Sequence, residues 1–120
     1  MKIYDLEDRL IDFAVQIIKV AEQLPKNYTG NHLGKQIIRS GTAPALNYGE
    51  AQGAESRKDF IHKMKISLKE LRETFINLKI IKKSGLILDH KTFAEALKES
   101  NELISIFVKS VKTAEKSLGD

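Results

Sequence analysis

Basic side chains carry the clearest chemical potential in this chain, and they are unevenly placed. Of 20 lysines and arginines in 120 residues, nine lie between Arg57 and Lys83, against the acids Asp59, Glu70 and Glu73. That stretch is +6 within a chain of net charge +4, so the remainder is −2. On a helix turning about 100° per residue, Lys58, His62, Lys65, Lys69, Arg72, Lys79 and Lys83 fall within about 100° of one another. Such a stripe, roughly 37 Å long, can track several phosphates of RNA or DNA. No aromatic ring is interleaved among the lysines, so the stripe suits a grip on the backbone with little sequence choice. A solvated surface is the commoner use of a lysine-rich face. Pairing with acids is another, since Asp5, Asp8 and Asp12 share a face near the N-terminus and can meet the stripe from a neighbouring helix or subunit.

Other chemistries find little support. The chain has no cysteine, which excludes disulfides and thiolate metal sites. His32, His62 and His90 each lack a glutamate three residues earlier, so the Glu-x-x-His pairs of di-metal bundles are absent. Ser40-Gly41-Thr42 has neither a nucleophile-elbow pattern nor a placed base. We therefore expect no catalytic residue, no metal and no cofactor.

The elements that must position these residues are helical. Leu6, Leu10, Phe13, Ile17, Ala21 and Leu24 recur at steps of three and four, and Pro25 closes that segment. A loop over Lys26 to Gly30 precedes a second segment, about Asn31 to Gln52, in which Leu33, Ile37, Gly41, Ala45 and Tyr48 keep helical spacing. Pro44 predicts a kink there, and Gly41, Thr42, Ala43 and Ala45 are small enough for another helix to come close. Ser56 and Asp59 predict a capping box for a third helix, with the stripe Phe60, Met64, Leu68, Leu71, Phe75 and Leu78 and a stop at Gly85. The fourth segment opens near Asp89 and runs through Phe93, Leu97, Ile104, Phe107, Val111, Ala114 and Leu118. Four amphipathic helices with short connections predict an all-α, antiparallel up-down-up-down four-helix bundle, one domain over residues 1–120.

Gln36 to Gln52, followed by Glu55 to Thr74, resembles the bacterial four helix bundle protein family. That family includes small proteins encoded in intervening sequences of bacterial large-subunit ribosomal RNA genes. The matching positions are Gln36, Arg39, Ser40, Gly41, Thr42, Asn47, Glu50 and Ala51, then Phe60, Ile61 and Lys63, then Ser84-Gly85-Leu86-Ile87. After Leu71 the chain departs: many relatives have Asp-Glu-Thr and then Trp-Leu, where this chain has Arg72-Glu73-Thr74-Phe75 and Asn77-Leu78. The resemblance implies a bundle that assembles as a ring, a pentamer, similar to the accessory protein of diversity-generating retroelements, a basic barrel that binds nucleic acid and a reverse transcriptase. Arg57 and His62 also resemble the Arg-x4-His pattern of HEPN-type ribonucleases, although the second position, usually Asn, Asp or His there, is Lys58 here.

Self-association has support of its own. Ile11, Val15 and Ile18 form a second apolar stripe, roughly 100° or more from the first, which a monomer would leave exposed. Arg39, Asn47 and Glu50 share one side of the second helix, where they fit either a network satisfying backbone freed by Pro44 or a recognition site lining a ring. The expected protein is thus a non-catalytic, homo-oligomeric scaffold or adaptor whose basic surface contacts RNA or DNA, with a possible protein partner. A purely structural or protein-binding oligomer is the alternative, and a ribonuclease using Arg57 and His62 is a third. Acidic residues near the N-terminus argue against a signal peptide, and no apolar run reaches the roughly 18 residues of a membrane span, so a cytoplasmic location is expected.

Overall fold

A computed structural model describes residues 5–87 and 91–119. They form four helices: α1 (Leu6–Gln23), α2 (Tyr28–Gln52), α3 (Arg57–Ser84) and α4 (Lys91–Gly119). No strand occurs among the described residues. Each helix packs on its sequence neighbour, and α4 returns, more thinly, to α1. The diagonal pairs are therefore α1 with α3 and α2 with α4. This is the antiparallel bundle that the apolar periodicity predicts. The expected opening of the last helix near Asp89 lies outside the described residues.

Local chemistry sets most helix ends. Asp5 caps α1 by accepting the Glu7 N–H at 3.0 Å. Ser56 caps α3 by accepting the Asp59 N–H at 3.0 Å. Gly85, at φ 69°, closes α3 with bonds from Gly85 N–H to the Lys82 carbonyl and from Leu86 N–H to the Ile81 carbonyl. That pair of bonds is a Schellman stop, and the left-handed residue in it favours glycine.

One boundary differs from expectation. The helix after Pro25 begins at Tyr28, not Asn31, because Asn27 is its cap and accepts the Gly30 N–H at 2.9 Å. Gly30 belongs to the first turn, and a Cβ there would lie 1.8 Å from the Pro25 carbonyl oxygen. Glycine is what lets the α1–α2 connection turn so tightly. The helix then continues through Pro44 to Gln52.

The core is centred on fully buried Leu10, Phe13, Ile17, Ile37, Leu71, Leu78, Leu103 and Phe107. Burying side chains of this size contributes roughly 1.5–3 kcal/mol each. On α3 the buried line is Ile61, Met64, Ser67, Leu71, Thr74, Leu78 and Ile81. Phe60, Leu68 and Phe75, expected in the stripe, are only half-buried. Two hydroxyl residues take central places because each finds a partner: Thr74 donates to Ser40 Oγ at 2.8 Å and is also within 2.9 Å of the Glu70 carbonyl, while Ser67 donates to the Pro44 carbonyl at 3.4 Å.

Candidate nucleic-acid interface and assembly face

The seven residues of the basic stripe, Lys58, His62, Lys65, Lys69, Arg72, Lys79 and Lys83, are all exposed along α3. They are not equivalent. Lys65 pairs with Glu115 of α4 at 2.9 Å. Arg72 lines a groove of about 400 Å³ between α2 and α3, together with Gln36, Arg39 and Ile76. The Lys79 ammonium lies 4.5 Å from the centroid of the Phe75 ring, a cation–π contact. Phe75 is thus an aromatic within the stripe's reach, half-buried and covered by a lysine. Ile76 and Ile80, 54% and 46% exposed, also sit among the basic positions. The C-terminal half of the stripe is therefore mixed basic and apolar, while the half from Lys58 to Lys69 is more uniformly polar.

Because α1 and α3 are diagonal, Asp5, Asp8 and Asp12 do not face the stripe within one chain. Asp5, Glu7 and Asp8 instead gather at the α1 N-terminus, where carboxylates offset the positive end of the helix dipole. Arg57 and His62 stand about 140° apart around α3, as five residues of helix require. Arg57 lines a cavity with Phe60 and Lys109, and His62 does not.

Arg39, Asn47 and Glu50 do not join into one network. Arg39 reaches across to α3, donating to Glu70 at 2.9 Å and Glu73 at 2.6 Å. Its hydrogen bond to Glu73, with that to Glu70, raises the guanidinium pKa, and the same bond to Arg39 lowers that of Glu73. Glu50 binds Lys63 at 2.7 Å, which raises the lysine's pKa. Asn47 folds onto its own helix and donates to the Ala43 carbonyl at 3.1 Å. Two of the three thus tie α2 to α3. The neighbouring motif residues also have packing roles: Ser40 accepts from Thr74, and a Cβ on Gly41 would come within 2.7 Å of Ile17 on α1. The Arg-Ser-Gly-Thr run is where α2 is held between α1 and α3.

Ile11, Val15 and Ile18 remain 46%, 44% and 38% exposed. By helical spacing they lie on the outward side of α1, roughly opposite the buried line of Leu10, Phe13, Ile17 and Val20. Exposed Ile38 of α2 lines a shallow groove with Ala21 and Glu22 of α1, a neighbour that single-helix spacing does not show. The structure also adds an ion pair that spacing could not reveal: Arg9 grips Glu99 through Nε at 2.7 Å and Nη2 at 2.8 Å, tying α1 to α4.

Comparison with known proteins agrees with this architecture. The sequence model described as 23S rRNA-intervening sequence protein matches residues 4–109. No curated protein matches the chain. The crystal structure of a protein of unknown function from the S23 ribosomal protein family of Bacteroides thetaiotaomicron VPI-5482 is similar, with a TM-score of 0.81 and 30% identity. The similarity covers 90% of this chain and 99% of that one.

Proposed function

Because this chain belongs to the 23S rRNA-intervening sequence protein family, we propose that it is a non-catalytic, homo-oligomeric scaffold, a ring of subunits whose α3 faces grip RNA or DNA. One observation carries the reading. An uncovered apolar face on α1 and a basic face on α3 occupy diagonal positions of one bundle. Subunits joined through the first would repeat the second around an assembly. Repetition matters because each phosphate neutralised adds to affinity and to its dependence on salt. The segment from Lys58 to Lys69 is the main contact, and it holds backbone phosphates rather than reading bases.

The test is binding of mixed RNA and duplex DNA across a salt titration, with mass measured by light scattering in the same buffers. Wild type is expected to bind at micromolar or tighter concentration at low salt and to weaken steeply as salt rises. Lys58→Glu with Lys69→Glu should abolish binding and leave the mass unchanged. Equal binding by that variant would remove α3 from the interface. Failure of wild type to bind at low salt, with the assembly intact, would favour an oligomer whose lysines pair with acids, for which Lys65–Glu115 is a precedent within the chain. The ribonuclease reading requires RNA cleavage that disappears in His62→Ala.

A further inference from the structure

The assembly face on α1 has a complement elsewhere on the same molecule. Asp8, Ile11, Val15, Ile18 and Glu22 succeed one another at steps of three and four, so they form one ridge along α1. All five are exposed. The ridge is apolar in the middle and acidic at both ends.

The cavity between α3 and α4 has the opposite character. Its volume is about 440 Å³, its floor is Phe75, Phe93 and Leu97, and its rims carry Lys82 on α3 and Lys98 on α4. Phe93 to Asn101 spans about 12 Å of helix, and Ile11 to Ile18 about 10 Å. A second cavity between α3 and α4, beside Arg57 and Lys109, is walled largely by Ser110, Thr113 and Ser117, a poorer match for an apolar ridge.

We infer that the α1 ridge of one copy docks head-to-tail into the Phe75–Phe93–Leu97 groove of the next, with Asp8 and Glu22 facing Lys82 and Lys98. This rests on the self-association in the proposed function and names the surfaces that perform it. Complementary charge selects this occupant over the symmetric alternative. Two α1 ridges packed antiparallel about Val15 would set Asp8 of one copy beside Glu22 of the other, a like-charge contact that costs energy at both ends. A ridge and a groove on different sides of one subunit generate a ring when the rotation closes. Docking there covers the C-terminal end of the basic stripe. Lys58 to Lys69 stays open, since the α3 wall of the groove begins at Phe75, six residues or about 9 Å of helix beyond Lys69.

Charge reversal tests the pairing. Asp8→Lys with Glu22→Lys, and separately Lys82→Glu with Lys98→Glu, should each reduce the wild-type mass to that of a 13.5 kDa single chain. All four reversals in one chain should regain the wild-type mass, because every contact again joins opposite charges. Circular dichroism of each variant checks that it is folded, and all four positions are exposed. If wild type is itself a single chain, self-association fails and the docking with it. If wild type assembles but neither reversal alters its mass, or the fourfold reversal does not restore what the pairs abolish, the docking alone is overturned. A Val15→Cys variant adds an independent readout in a chain without cysteine. Head-to-tail docking predicts no disulfide-linked dimer within the assembly, and efficient dimer formation on oxidation would establish the symmetric contact instead.

Discussion

The seam between α2 and α3 and the seam between α4 and α1 join helices of the same bundle by different means. Between α2 and α3 lie the Ser40–Thr74 bond, the Ser67 bond to the Pro44 carbonyl, and the pairs Arg39–Glu70, Arg39–Glu73 and Glu50–Lys63. Between α4 and α1 the fork of Arg9 on Glu99 stands out. Gln16, seven residues on and so on the same side of α1, has a buried Oε1 without a hydrogen-bond partner among the described residues. The first seam has its directional bonds placed at several levels, which specifies one register. The second, among the described residues, rests on apolar packing and the Arg9–Glu99 fork. Residues that look like a recognition motif in sequence are, in this fold, largely the means by which α2 is located.

The largest expected effect comes from removing the space that lets α2 sit between its neighbours. Gly41→Leu should destabilise by about 1–3 kcal/mol or more, because the new side chain starts inside the Ile17 contact. A denaturant midpoint equal to wild type would show that α1 yields freely there. Thr74→Ala comes next, at about 1–3 kcal/mol, since it leaves Ser40 buried without its donor. Ser40→Ala added to it should cost less than the sum of the single changes, and strict additivity in that double-mutant cycle would deny the bond any energetic role.

Arg9→Ala probes the weaker seam, and we expect about 1 kcal/mol for this partly buried fork. Hydrogen exchange should report faster opening in α1 and α4 than in α2 and α3. Uniform acceleration across all four helices would remove the distinction between the seams. The smallest effect is on pH dependence. The hydrogen bond from Arg39 lowers the Glu73 pKa in the folded chain, so the folded state binds fewer protons there than the unfolded state. The resulting stabilisation is complete above the ordinary value of 4.5 and is lost as pH falls through the lower folded value. Arg39→Ala should therefore flatten the acid limb of a stability curve. An unchanged limb would place the acid sensitivity at other carboxylates.

The parts of the fold legible in sequence were those governed by neighbours within a few residues. Ser56 and Gly85 marked α3 because a cap and a left-handed stop are local events. The α1 ridge was legible because a bundle core uses one stripe and α1 has two. The start of α2 was not, since Gly30 resembles a helix breaker until the Pro25 carbonyl beside it is known. Nothing in local spacing marks Thr74 and Ser40 as partners, since their hydrogen bond spans 34 positions of sequence. Arg39 stood out as a polar residue, but its partners Glu70 and Glu73 are 31 and 34 residues away, a separation that single-helix spacing cannot bridge.

The way α4 closes on α1 also bears on how the chain reaches its fold. Three of the four seams join helices separated by short connections, so they need little loop-closure entropy and can form as soon as each hairpin meets. The fourth must bring Arg9 to Glu99 across 90 residues. We expect that closure to come last in folding and to open first in unfolding, with the α2–α3 hairpin as the nucleus on which the outer helices condense.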